Sequence, residues 1–133
     1  MFVDTSAWVA LVVERDRHHA AAKAFLDGLV PGEPLVTSDY VFDETLTRVR
    51  RQAGHRVAVR VGELMRSSVV AQIVPATPDD LERAWTVFRK HADKELSFTD
   101  CVIVAVMERL KLRHVFAFDE DFERLGFSVE PGA

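Results

Sequence analysis

The sequence predicts an α/β fold built on a parallel sheet with helices packed against it. Three observations carry that expectation. Short β-rich runs alternate with longer runs of helical apolar spacing along the chain. The 133 residues are about one domain's worth of length, and 48% hydrophobic residues with nine Phe supply a core. No internal repeat, low-complexity tract or long linker divides the chain, so residues 1–133 are expected to form a single domain.

The first strand is very short and ends near Asp4, after which Thr5 or Ser6 can cap a helix through Val13. A second helix covers about His19 to Leu29, with Ala21, Ala22, Phe25, Leu26 and Leu29 at core spacing. Pro31-Gly32-Glu33-Pro34 is a turn, and Leu35-Val36-Thr37 a strand. Ser38 or Asp39 caps a helix that runs to about Ala53 and stops at Gly54. Arg56 to Ser67 fits either period, since Val57, Val59 and Val61 alternate while Val57, Val61, Leu64 and Met65 suit a helix; its length favours the helix.

Val69 to Val74 reads as a strand, and the segment from Pro75 to Pro78 as a second turn. Pro78-Asp79-Asp80 opens a helix whose Leu81, Ala84, Trp85 and Phe88 share one face. Ser97 or Thr99 caps the next helix, which is apolar nearly all round from Cys101 to Met107 and therefore central. His114 to Phe118 is a strand ending at Asp119. A short helix follows to Leu125, stopped by Gly126, and Phe127 to Val129 closes the pattern as a small strand.

Composition narrows the function classes. One Cys excludes an internal disulfide and a multi-Cys zinc site. The opening Met1-Phe2-Val3-Asp4 carries an acid where a signal peptide has basic residues. The longest apolar runs, Ala7 to Val13 and Cys101 to Met107, fall short of the roughly 18 residues a membrane span needs. A cytoplasmic protein without a membrane partner is expected. The net charge of −4 argues against a uniformly polyanion-binding surface, but charge is uneven. Between Thr45 and Gly62 there is no acid, while Arg48, Arg50, Arg51, His55, Arg56 and Arg60 lie there.

The acids are the informative residues. Asp4 and Asp119 are placed at the carboxyl ends of strands, where an open parallel sheet has its ligand crevice. Asp100 falls in the first turn of the most apolar helix, and Glu44 lies within a helix between Phe42 and Leu46. Two carboxylates 4 Å apart repel by about 4 kcal/mol at an effective dielectric of 20. A cluster of them must hold a proton, a basic group or a hard cation, and oxygen ligands favour Mg²⁺ or Mn²⁺ over zinc. Such an ion can activate water for in-line attack at phosphorus without a protein nucleophile. A strand-terminal Asp is also a common helix cap, and the chain has 21 acids, so spacing alone leaves the point open.

The wording around each acid is more specific. Met1-Phe2-Val3-Asp4-Thr5-Ser6-Ala7, Asp43-Glu44-Thr45-Leu46, Leu96-Ser97-Phe98-Thr99-Asp100-Cys101 and Phe116-Ala117-Phe118-Asp119-Glu120-Asp121-Phe122 resemble the four signature segments of the PIN-domain family. In order and length the whole chain is similar to VapC-type toxins of type II toxin–antitoxin pairs. The resemblance implies a three-layer α/β/α domain with a central parallel sheet and a Mg²⁺- or Mn²⁺-dependent endoribonuclease that leaves a 5′ phosphate. It also implies a homodimer, inhibition by a small cognate antitoxin and an RNA substrate, with tRNA among the candidates.

Carried over segment by segment, Asp4, Glu44, Asp100 and Asp119 become the catalytic quartet. Asp4, Asp100 and Asp119 would hold the metal, and Glu44 would complete the shell or position the attacking water. Ser6 would orient Asp4 or a bound water. Asp121 is a supporting candidate beside Asp119, since the fourth acid can be read at either position. Thr99 reads as a cap in preference to a catalyst.

Arg48, Arg51 and Arg56 are candidate RNA contacts, because phosphate contacts supply most nucleic-acid affinity; a solvated helix face or a partner-docking surface explains them as well. Trp8 and Trp85 could stack on bases, with Trp8 the better placed, but both sit at core spacing. The histidines show no zinc-type pairing, and Cys101 reads as inert core. Two other classes remain in view. A non-catalytic RNA- or protein-binding module of the same fold would not need all four acids. An Asp-based phosphoryl-transfer domain fits poorly, because Ser6 stands where a haloacid-dehalogenase-type enzyme carries a second Asp.

Overall fold

The computed structural model describes residues 1–93 and 95–132. Among these, five strands and seven helices follow one another as β1 (Phe2–Val3), α1 (Thr5–Val12), α2 (His19–Asp27), β2 (Val36–Ser38), α3 (Asp39–Ala53), α4 (His55–Arg66), β3 (Gln72–Val74), α5 (Pro78–Lys90), α6 (Phe98–Leu110), β4 (His114–Phe116), α7 (Asp121–Arg124) and β5 (Ser128–Glu130). The strands form one sheet in the order β3-β2-β1-β4-β5. Every pairing is parallel, with Phe2 beside Val36 on one side and Val115 on the other. Helices cover the sheet to give the expected three-layer α/β/α arrangement. No helix among the described residues is long and apolar enough to cross a membrane.

β1 is central. The chain winds outward from it through β2 to β3, then returns to place β4 on its other side. That reversal opens a crevice beyond the carboxyl ends of β1 and β4. The helices that shape the surrounding fold take their places for local reasons.

Helix α1 is fixed across the first two strands: Trp8 is fully buried, its indole Nε1 donates to Thr37 Oγ1 at 3.4 Å, and Thr37 Oγ1 donates to Val3 O at 2.9 Å. Helix α3 begins where Ser38 Oγ accepts the Val41 N–H, and its acid-first, base-last charge order suits the helix dipole. It ends at Gly54, whose φ of 91° and ψ of 173° turn the chain directly into α4. The two helices lie close because residue 62 is glycine; a Cβ there would stand 3.1 Å from Leu46 Cδ2.

Helices α5 and α6 each open with a capping box, Thr77 with Asp80 and Ser97 with Asp100. Arg109 near the end of α6 closes on Asp80 at 3.0 Å, locking the two helices together. The run from Cys101 to Met107 is buried throughout, as expected for a central helix.

The structure corrects several expectations. Asp4, and not Thr5 or Ser6, caps α1, because its carboxylate reaches back to the Ser6 N–H. β3 starts at Gln72; before it Ser68 takes a left-handed φ of 62° and Val69 is 85% exposed. β4 stops at Phe116, leaving Asp119 in the loop beyond. On α2, Ala22 is buried but Ala21 is exposed. On α5, Ala84 packs inward while Trp85 is 50% and Phe88 42% exposed, so the shared apolar face of that helix is only partly a core face.

Candidate active site

The crevice is an open cleft of about 530 Å³ lined by Asp4, Ser6, Asp43, Glu44, Thr47, Arg48, Arg51, Ser97, Thr99, Asp100 and Asp119. Its floor is Asp4, which follows directly from β1 and is 4% exposed. Asp4 Oδ2 accepts the Ser6 N–H at 3.1 Å and the Ser6 hydroxyl at 2.6 Å. The same Ser6 Oγ accepts the Phe118 N–H at 2.9 Å, which ties the loop carrying Asp119 to the start of α1. Burial pushes the Asp4 carboxyl up to about 6, against the pull of the Ser6 hydrogen bonds and with help from the charges of Glu44 and Asp119.

Asp100 enters from the first turn of α6. Its Oδ2 accepts the Ser97 N–H at 3.0 Å, and Ser97 Oγ accepts the Asp100 N–H at 3.1 Å. Burial and then the charge of Asp4 push the Asp100 carboxyl up to about 7, with a further contribution from Asp119. Asp119 Oδ1 accepts the Asp121 N–H at 2.9 Å. Asp121 itself is raised above the ordinary carboxylate range by burial and by Asp119, opposed by Arg124. The acids therefore feel one another, which is the electrostatic signature of a site that a cation would relieve.

Each of the three aspartates is tied back through one oxygen, Asp4 to Ser6, Asp100 to Ser97 and Asp119 to Asp121. Among the described residues the other oxygen of Asp4 and that of Asp100 make no hydrogen bond. No three His, Cys, Asp or Glu side chains among the described residues already stand close enough to grip one ion. The donor set, hard carboxylate oxygens with no sulfur or imidazole, suits Mg²⁺ or Mn²⁺ in kind.

The cleft gathers Asp4, Glu44, Asp100 and Asp119 with Ser6, Thr99, Arg48 and Arg51. It does not include Arg56, which lies on α4 beyond the Gly54 turn, nor Asp121, which sits behind Asp119. Trp8 is wholly buried and cannot meet a base, and Trp85 stands exposed on α5 away from the cleft lining. Ser97 supplies the α6 cap, leaving Thr99 on the cleft wall. Cys101 is buried, and burial followed by the Asp100 charge pushes its thiol up to about 11, so it carries no thiolate near neutrality. Asp43 and Thr47 also line the cleft and were not singled out from sequence. Helical spacing from Glu44 holds the signal for Thr47, since residues 44, 47, 48 and 51 share a face of α3.

A family model, the PIN domain, matches residues 1–128. The chain belongs to the PIN-domain family. Among curated PIN relatives, the 23S rRNA-specific endonuclease VapC20 of Mycobacterium tuberculosis, from strains CDC 1551 / Oshkosh and ATCC 25618 / H37Rv, is 38% identical over 127 residues, covering 96% of this chain and 95% of the relative. The crystal structure of Mycobacterium tuberculosis VapC20, described as a Sarcin-Ricin loop cleaving toxin, superposes with a TM-score of 0.89 at 37% identity over 95% of each chain. FitAcB from Neisseria gonorrhoeae superposes with a TM-score of 0.67 at 20% identity, covering 96% of this PIN domain chain and 94% of the other, and shows the same fold.

Proposed function

We propose that this chain is a divalent-metal-dependent endoribonuclease and the toxin of a toxin–antitoxin pair. The observation that carries the reading is the convergence of Asp4, Glu44, Asp100 and Asp119 on one cleft, with Asp4 held up to about 6 and Asp100 up to about 7 by burial and by the charges of neighbouring acids. Asp4, Asp100 and Asp119 would hold Mg²⁺ or Mn²⁺ through their carboxylate oxygens. The ion would lower the pKa of an attacking water and polarise the scissile phosphate.

The chain's own residues do the rest. Ser6 holds Asp4 in one rotamer and fastens the Asp119 loop beside it. Glu44, from the opposite wall, positions and deprotonates the attacking water. Thr47, Arg48 and Arg51 extend the α3 wall away from the acids and receive flanking phosphates. That placement offsets the acidity of the floor, which would otherwise repel RNA. Asp121 supports Asp119 from behind through its N–H.

The likeness to VapC20 supports the sarcin–ricin loop of 23S rRNA as the substrate, in preference to tRNA. The chain acts in the cytoplasm as a homodimer and is silenced by a cognate antitoxin; solved relatives named as VapBC pairs support that partner. A basic antitoxin side chain, Arg above all, would enter the cleft and take the cation's electrostatic place.

The test is cleavage of a sarcin–ricin hairpin and of a tRNA pool by purified chain, with Mg²⁺, with Mn²⁺ and with chelator. Discrete metal-dependent cuts in the hairpin, absent from folded Asp100→Asn protein, are expected. Equal cutting by wild type and Asp100→Asn, or cutting in chelator, would overturn the reading.

A further inference from the structure

Strand β4 ends at Phe116, and its pairing with β5 closes where the Ala117 N–H donates to Glu130 O at 3.0 Å. Phe118 then leaves the sheet, and Asp119 follows it into the cleft. Two contacts hold Phe118 in place of the sheet. Its N–H donates to Ser6 Oγ at 2.9 Å, and its ring lies flat on the imidazole of His18, with centroids 4.4 Å apart and planes 7° from parallel. His18 and Phe118 are both half-buried, and neither belongs to the cleft lining. The docking of α2 does not need their stack, because Ala22 is wholly buried and Phe25 packs on Phe116 at 4.7 Å.

His18 is itself braced. Its N–H donates to Asp16 Oδ1 at 2.8 Å, and Arg17 Nε donates to its Nε2 at 3.0 Å. The Asp16 N–H donates to the carbonyl of Val13, which closes α1, and His19 Nδ1 donates to Ala10 O at 2.7 Å. His18 is thus fastened to the carboxyl end of α1. Ser6 lies in the first turn of that helix, and Asp4 is its cap. One helix of eight residues, about 12 Å long, therefore grips Phe118 from both ends. Ser6 holds the backbone and His18 holds the ring. A single hydrogen bond leaves a residue free to swing about it, and a flat stack at a second point removes that rotation. Because consecutive Cα atoms keep a fixed separation, stopping Phe118 fixes where Asp119 enters the cleft. Asp4 and Asp119 are then both referred to α1.

We infer that His18 is a positioning residue for cation binding: stacked on Phe118, it holds Asp119 in place relative to Asp4 from outside the cleft. The inference rests on the metal-dependent reading of the site and adds to it a side chain that touches neither ion nor RNA. Carboxylates without a cation repel one another, so a brace that acts before the ion arrives makes the site ready to receive it. Losing the stack leaves every acid in the chain and frees Asp119 to move away from Asp4.

Mn²⁺ binding to RNA-free protein is followed by electron paramagnetic resonance in wild type, His18→Ala, His18→Phe and Phe118→Leu, each with native circular dichroism and a measured metal-free melting temperature. His18→Ala is expected to weaken Mn²⁺ binding by about tenfold. His18→Phe keeps a flat ring and is expected to stay within about twofold of wild type. Phe118→Leu keeps the N–H bond to Ser6 but gives up the stack, so it should match His18→Ala. The double variant His18→Ala/Phe118→Leu should be no weaker than either single one, since both remove the same contact. Unchanged Mn²⁺ affinity in folded His18→Ala and Phe118→Leu, with only the melting temperature lowered, overturns the inference and leaves the metal reading standing. His18→Phe as weak as His18→Ala also overturns it, by assigning the effect to the bond with Arg17. Wild type that binds no Mn²⁺ at millimolar concentration and cuts RNA in chelator overturns the metal reading and the inference with it.

Discussion

Ser6 Oγ donates to Asp4 Oδ2 at 2.6 Å and in turn accepts the N–H of Phe118 at 2.9 Å. One hydroxyl therefore joins the floor of the cleft to the loop that delivers Asp119. Ser6→Ala removes both bonds and leaves the Phe118 N–H unpaired. Because the hydroxyl bond to Asp4 helps hold that carboxyl down against burial, its loss raises it further. Cleavage at neutral pH should fall by about 10- to 100-fold, and the acid limb of the pH–rate profile should move to higher pH. A profile that keeps its shape while the rate falls would assign Ser6 to packing alone.

The raised carboxyls of Asp4 and Asp100 also govern stability. Each folded value lies above the unfolded value of 3.8, so the folded state holds its proton the more tightly. Stability is then favoured at low pH and is lost as pH rises from about 4 through about 6 for Asp4 and about 7 for Asp100. For Asp4 the full cost above that window is roughly 3 kcal/mol. Metal-free protein should melt at a higher temperature at pH 5 than at pH 8. Asp4→Asn and Asp100→Asn retain an oxygen for their caps and should raise the pH 8 melting temperature while flattening the pH dependence. A lower melting temperature for both variants at pH 8 would show that the cluster is not repulsive.

Metal addition is the complementary measurement. Mg²⁺ at pH 8 should raise the melting temperature of wild type by mass action and have little effect at pH 5, where protons compete for the same oxygens. Asp100→Asn should lose most of the increment. An equal rise in wild type and variant would place the ion elsewhere.

Arg48 and Arg51 line the cleft, whereas Arg56 lies on α4 outside it. Arg48→Gln and Arg51→Gln should each weaken RNA binding and reduce the slope of log affinity against log salt by about one. Arg56→Gln should change neither. Fluorescence anisotropy over a salt series, with catalytically inactive protein, separates the three.

Gly54 joins α3 to α4 with a φ of 91° and ψ of 173°, a region that side chains other than glycine rarely occupy. Nothing lies within 4 Å of a Cβ placed there, so Gly54→Ala tests the backbone alone. A loss of about 1–3 kcal/mol in urea denaturation is expected.

Much of this architecture is legible in the amino-acid order because local signals agree with the global fold. The continuous apolar run of α6 marks a central helix, Asp4 follows β1 directly and Asp100 falls in the first turn of α6, and all four acids lie within distinctive short segments. What the order conceals depends on three-dimensional neighbours. Trp85 and Phe88 occupy the same periodic stripe as Ala84 and Leu81, yet the stripe is wider than the surface that α6 covers, so the bulky rings lie outside. Arg56 follows Arg51 closely in sequence but is carried away by the Gly54 turn. Asp43 lines the cleft although it lies off the α3 face that Glu44, Thr47, Arg48 and Arg51 share. The choice between Asp4 and the hydroxyls after it as the α1 cap turns on a single rotamer, which periodicity cannot specify.

Asp100 divides its two oxygens. Oδ2 is bound to the Ser97 amide and closes the start of the most buried helix, while Oδ1 is left for the cleft. Anything that draws electron density toward Oδ1 must therefore be felt at the Ser97 N–H, on the far side of the carboxylate. The Ser97 amide resonance is in consequence a spectroscopic reporter of cleft occupancy, readable without substrate, turnover or any label placed in the cleft itself.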